Sequence, residues 1–111
     1  MNFKDYEENA LKSAKYPGKG AFMGVCYCGL KLNGEAGEVA EKIGKAWRDY
    51  GGEINNERRL QILFECGDVL WYLTMIAREH GSTLEEIARM NNEKTLSRLE
   101  RGKVHGEGDN R

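Results

Sequence analysis

Two acidic pairs constrain this chain more than any other feature. Glu35 and Glu38 stand at i, i+3 in Gly34-Glu35-Ala36-Gly37-Glu38, and Glu65 and Asp68 repeat the spacing in Glu65-Cys66-Gly67-Asp68. On a helix that spacing puts both carboxylates on one face, about a turn apart. Both pairs lie in runs that otherwise read as buried helix. A carboxylate buried without a partner is costly. Two helices that each carry such a pair are explained at least cost if the four acids converge on a cation. Carboxylate donors suit Mg²⁺, with Mn²⁺ as a substitute.

The chain has 111 residues, which favours one domain. A core of that size is modest, and oligomerisation is a common remedy. A formal net charge of -1 gives no electrostatic case for a nucleic acid polymer or an anionic membrane as partner. The start, Met1-Asn2-Phe3-Lys4-Asp5-Tyr6, is polar and lacks the apolar stretch of a signal peptide. No apolar run approaches the roughly 18 residues of a membrane span. The three cysteines are an odd number; Cys26 and Cys28 form C-x-C, and Cys66 is remote. That pattern reads as reduced thiols in a cytoplasmic protein, and no His or Cys pair has zinc-ligand spacing.

Pro17 is the one proline, and no strand-like alternation stands out, so an all-α fold is expected. The first helix is predicted over about Asn2 to Lys15, with Phe3, Tyr6, Ala10, Leu11 and Ala14 on one face. Tyr16-Pro17-Gly18-Lys19-Gly20 breaks it. The second is predicted from Met23–Cys26 to Tyr50, stopped by Gly51-Gly52. The third opens at Asn55 or Asn56 and reaches His80, where Gly81 stops it. The fourth is predicted from a capping box with Ser82 as N-cap and Glu85 at N3, and runs to about Arg101. Residues 1–101 therefore make one four-helix, bundle-like domain, and residues 102–111 a glycine-rich polar tail. A tail of this kind serves as a flap over a ligand, with glycines near phosphates, or as a disordered end.

On a wheel at about 100° per residue, the third helix shows two apolar sectors. Ile62, Leu63, Cys66, Val69, Leu70, Leu73, Ile76 and Ala77 share one; Leu60, Phe64, Trp71 and Met75 share the other. Glu65, Asp68 and Tyr72 fill a narrow wedge between them. A helix apolar on two sides is covered on two sides. One sector is expected to pack within the subunit and the other against a second copy, with the acids between. Solvent-facing salt bridges are the plain alternative for the acids. On the second helix, Leu32, Val39, Ile43, Ala46 and Tyr50 form the stripe, with Glu35 at its edge and Glu38 one step round. Gly34 and Gly37 each weaken a helix by roughly 1 kcal/mol relative to Ala, which suggests a close approach of backbone or ligand. Glu41 falls further from the stripe and either faces solvent or lends a carboxylate to a second metal.

The fourth helix is odd. Leu84 and Ile87 start a core stripe whose continuation is Asn91, Lys94 and Arg98. Either these groups snorkel to water, or they face the acidic site and hold an anion. Acids for a metal beside cations for an anion are what a phosphate substrate requires.

Glu-x-x-Glu, a gap of roughly 26 residues, then Glu-x-x-Asp resembles the signature of the MazG-like all-α nucleoside triphosphate pyrophosphohydrolases. The wider wording, Gly34 to Val39 and Glu65 to Tyr72, is similar too. The resemblance covers about residues 25 to 111, and the tail looks like the ending of a small single-domain branch. It implies an enzyme that splits a (deoxy)nucleoside triphosphate into monophosphate and pyrophosphate with Mg²⁺. By resemblance, Glu35, Glu38, Glu65 and Asp68 are the catalytic metal ligands. Asn91 and Lys94 match nucleotide-binding positions, Arg98 joins them at the phosphates, and Tyr72 lines the pocket. Such enzymes are dimers or dimers of dimers, and a homo-oligomer is expected here. Removal of non-standard deoxynucleotides is one role that fits the reaction.

Trp47, Trp71 and Tyr27 are candidates for stacking on a base, with core or interface packing as the alternative. His80 reads as a helix-end residue. A ferritin-like di-iron site needs Glu-x-x-His, but Ala77 stands three before His80. The competing non-enzymatic reading is a helical dimer acting as an interaction module. It leaves the acidic wedge and the cations of the fourth helix unexplained.

Overall fold

The computed structural model describes all 111 residues. Four helices follow one another without a strand: α1 (Phe3–Lys12), α2 (Phe22–Tyr50), α3 (Asn56–Glu79) and α4 (Leu84–Glu100). The fold is the expected all-α class, and the boundaries have local causes. Asn2 caps α1 by accepting from the Asp5 N–H, and the Asp5 carboxylate accepts from the Asn2 N–H in return. The helix ends at Lys12, earlier than predicted, because Ser13 and Ala14 turn the chain. Gly51, in the left-handed region at φ 62°, closes α2. Asn55 caps α3 through the Arg58 N–H.

At α4 the predicted cap is off by one residue. Thr83, not Ser82, takes the extended N-cap conformation, and its hydroxyl accepts from the Glu86 N–H. The shift has a tertiary cause. Glu7 of α1 is buried and accepts from the backbone N–H of Leu84 at 2.8 Å, which fixes where α4 begins.

α2 and α3 form a long hairpin, and α1 and α4 pack near one end of it. The Ala14–Ala21 connection crosses tightly over the start of α2. A Cβ on Gly24 would sit 2.5 Å from the Gly18 carbonyl oxygen. Glu79, at the end of α3, ties this connection down by accepting from the Tyr16 hydroxyl (2.5 Å) and the Gly20 N–H (2.9 Å). The small core lies here: Ala10, Ala14, Cys28 and Met75, with Tyr6, Leu11, Tyr16 and Trp71 against it.

The two sectors of α3 do not divide as the wheel suggests. Met75 is fully buried within the protomer, whereas Phe64, from the same sector, is 74% exposed. Leu63, from the opposite sector, is also exposed. Position along the axis decides burial, because α1 reaches only the C-terminal half of α3. The open half leaves Leu60, Leu63 and Phe64 uncovered, as are Phe22, Leu30 and Trp47 on α2. The accessible surface is 8110 Å², against roughly 6,200 Å² expected for a folded monomer of this mass. The radius of gyration is 16.8 Å, against about 13 Å for a globule of this length.

α3 alone has the length and apolarity to cross a membrane, with a mean hydropathy of 1.3 in its most apolar window. Glu65 and Asp68 interrupt that stretch. The same composition serves a bundle helix covered on more than one side, and α3 runs beside α2 here.

The tail is not a loose end. Arg98 is buried, and its Nη2 donates to the carbonyl (2.7 Å) and carboxylate (3.3 Å) of Asp109. Arg101 donates to the Arg111 carbonyl, and Arg111 donates back to those of Gly108 and Val104. Residues 102–111 thus fold back on α4.

Candidate metal and nucleotide site

The seam between α2 and α3 gathers the candidate residues. At helical spacing, α2 presents Tyr27, Lys31, Glu35, Glu38 and Lys42 along it, and α3 presents Tyr72, Asp68 and Glu65 in the opposite direction. Glu35, Glu65 and Asp68 converge: one carboxylate oxygen of each lies within 4.8 Å of the others. Glu35 and Glu65 are half-buried, and Asp68 is exposed, so the cluster opens to solvent on one side. Burial raises the Glu35 carboxyl above its ordinary value, and the charge of Asp68 adds to that.

Like charges at about 4 Å repel by roughly 4 kcal/mol near a protein surface, so three carboxylates this close need a counter-charge. Lys42 supplies part of it, with Nζ 3.4 Å from Glu65 Oε1. A divalent cation would supply more. Carboxylates from two facing helices, with an open side for water or a ligand, fit Mg²⁺ or Mn²⁺.

Three of the four predicted acids are therefore brought together, and Glu38 is not among them. It is exposed and lines an adjoining cavity of about 350 Å³ with Lys42, Lys45 and Arg58. Its charge still acts on Glu35. Glu41 pairs with Lys45 on the surface at 2.9 Å. Gly34 and Gly37 face open space, where a Cβ on either would meet nothing, so no backbone of the protomer comes close.

Tyr72 sits where the wheel places it, beyond Asp68 along the seam. Burial and then the Tyr27 hydroxyl raise its pKa, and Glu35 contributes too. It meets Trp71 edge-on at 4.9 Å, while Tyr16 stacks on Tyr27 at 6.3 Å. Trp71 also donates its indole N–H to Ser13, so packing accounts for that residue. Trp47 is 80% exposed and has no such partner. The His80 ring contacts the Ile76 carbonyl at the end of α3, as a helix-end residue does.

Asn91, Lys94 and Arg98 do not reach the acids of their own protomer. α4 packs on α1 and α3 but not on α2. Asn91 is exposed, and Lys94 and Arg98 share Asp109 of the tail. The wheel places a residue on a face; it says nothing of which neighbour that face meets. Lys42 is the site residue that sequence reasoning missed. The signal was present, since Lys42 follows Glu38 at i, i+4 and so continues the same face.

Residues 28–102 match the model of the MazG nucleotide pyrophosphohydrolase domain, a span that contains both acidic pairs. The chain is also 39% identical to the Gene 37 protein of Mycobacterium phage L5, over the whole of both chains, a name that states no activity. No solved structure matches. With its all-helical fold and a family match over most of its length, this chain belongs to the MazG nucleotide pyrophosphohydrolase family.

Proposed function

We propose that this chain hydrolyses (deoxy)nucleoside triphosphates to the monophosphate and pyrophosphate with Mg²⁺. The observation that carries the reading is the convergence of Glu35, Glu65 and Asp68 from two helices that lie within the matched domain. These three carboxylates are assigned to the metal, and Glu38, which is exposed and whose charge reaches Glu35, is the fourth of the set. When bound, the ion neutralises triphosphate oxygens and acidifies a water. One of the four carboxylates would orient the attacking water and take its proton as a base. Tyr72, with Tyr27 beside it, gives an aromatic face at one end of the seam for the nucleoside.

A homo-oligomer belongs to the same proposal. The excess accessible surface and the bare apolar residues of α2 and α3 are what a second copy covers. α4 does not pack on α2, and on that ground we assign Asn91 and Lys94 to the site of a neighbouring copy. Arg98 is engaged by the tail and joins them only when Asp109 lets go.

The test is pyrophosphate release from a panel of nucleotides, with Mg²⁺ and with EDTA. Metal-dependent release from at least one triphosphate is expected. No release from any of them at micromolar enzyme would return the chain to the interaction-module reading.

A further inference from the structure

The cavity beside the acidic cluster has no role yet. It lies between the C-terminal half of α2 and the N-terminal half of α3 and holds about 350 Å³. That is the low end of ligand-pocket volumes, about 300–1,000 Å³, and suits a fragment of a nucleotide rather than the whole. Only Ala46 and Tyr50 of its lining are apolar, so it offers little to a base.

Each of its cations has a partner. Lys42 joins the cavity to the acidic cluster, with its ammonium 3.4 Å from Glu65. The Arg58 guanidinium carbon lies 3.5 Å from the centre of the Tyr50 ring, and its Nη1 donates to the Glu53 carbonyl. A guanidinium fixed in this way meets phosphate oxygens at little entropic cost. Lys45 stands on the same wall, held to Glu41 at 2.9 Å.

We infer that this cavity seats the β,γ-diphosphate of the substrate, and so the leaving pyrophosphate, with Lys42, Lys45 and Arg58 as its cations. The inference rests on the pyrophosphohydrolase reading and gives the substrate a direction. The nucleoside lies toward Tyr27 and Tyr72, the metal at Glu35, Glu65 and Asp68, and the diphosphate toward Arg58. Helical rise sets the scale: four residues from Tyr72 to Asp68 is about 6 Å, and seven from Glu65 to Arg58 about 10 Å.

The charge balance names the ligand further. Glu38, Glu41 and Glu57 line the cavity beside the three cations. A bare anion gains no net attraction there. A diphosphate carrying Mg²⁺ satisfies both signs, so the ligand is the metal complex.

The experiment measures product inhibition of the full chain by inorganic pyrophosphate and by nucleoside monophosphate, with Mg²⁺, in wild type, Lys45→Ala and Arg58→Ala. Expected is a rise of tenfold or more in the pyrophosphate inhibition constant of both variants, with that of the monophosphate unchanged. Arg58→Lys, which keeps the charge but not the fork, should fall between wild type and Arg58→Ala, and covers the case of a misfolded Arg58→Ala. Unchanged pyrophosphate inhibition, or equal weakening of both products, overturns the assignment while leaving the enzyme reading intact. If wild type hydrolyses no nucleotide, that reading fails, and calorimetry with pyrophosphate and Mg²⁺ on the same variants still decides the cavity. Pyrophosphate binding of equal strength without Mg²⁺ overturns the metal-complex ligand.

Discussion

The Lys42 ammonium lies 3.4 Å from the Glu65 carboxylate, across the seam between α2 and α3. It offsets the acidic cluster from the side of the cavity and competes with any metal for Glu65. Replacing Lys42 with Met should lower stability in EDTA by up to about 1 kcal/mol, the usual range for a partly exposed pair. The same change should tighten Mn²⁺ binding severalfold, read by calorimetry. Weaker Mn²⁺ binding in this variant would show that Lys42 supports the metal site rather than opposing it.

The three convergent carboxylates should act as a set. Metal at a hundredfold excess over its dissociation constant stabilises a folded protein by about 2.7 kcal/mol. For a chain of this size that is a rise of roughly 10 °C in melting temperature. Asp68→Asn and Glu65→Gln should each lose most of that rise and at least about 100-fold in activity, exceeding the loss typical of residues that only support ligands. Glu38→Gln, outside the cluster of three, should lose less of the metal-induced rise. Asp68 is exposed, so helical content should survive its replacement.

Glu7 should matter to the fold although it is far from the acids in sequence. Its buried carboxylate accepts from the first N–H of α4, where helix dipoles favour negative charge. Glu7→Ala leaves that donor unpaired, at a cost of about 1–3 kcal/mol. Glu7→Gln keeps an acceptor and should cost less. Urea melts of the two variants check the order.

Acid should loosen the connection between α1 and α2 first. The Gly20 N–H and the Tyr16 hydroxyl hold the Glu79 carboxyl below its usual 4.5. A carboxylate with a depressed pKa adds stability above its unfolded value and loses it as pH falls through the folded one. Between about pH 4.5 and that lower value, wild type should lose stability faster than Glu79→Gln. Parallel curves across the acid limb would mean that Glu79 is not tied down in solution.

The tail should depend on Asp109. That residue engages both Lys94 and Arg98, and its carboxyl is held down chiefly by the hydrogen bond from Arg98. In Asp109→Ala, amides of residues 103–111 should exchange at least tenfold faster, with little change in α2 and α3. Because the same cations are then freed for phosphate, the Michaelis constant for the preferred triphosphate should fall rather than rise.

Much of this molecule is legible in its sequence. Helical periodicity, Gly51 and Gly81 at the stops and Asn55 at a cap are local physics, and they gave four helices within a few residues of their true ends. The shared face of Glu65, Asp68 and Tyr72 was equally plain, because a face depends only on the 3.6-residue turn. The opposing register of α2 and α3 was not. It decides that Glu35 meets Glu65 and Asp68 while Glu38 turns to the cavity, and that Lys42 arrives at Glu65. The docking of α4 was also hidden. Sequence placed Asn91, Lys94 and Arg98 on one stripe, but within the protomer packing turns Lys94 and Arg98 to Asp109 of the tail and leaves Asn91 exposed. The start of α4 moved by one residue because Glu7, distant along the chain, fixes the Leu84 N–H. Sequence determined the rods and the residues each rod shows, since those follow from backbone geometry and near neighbours. Tertiary structure decided which shown residues meet, since that depends on the joint packing of helices whose contacts lie far apart in the chain.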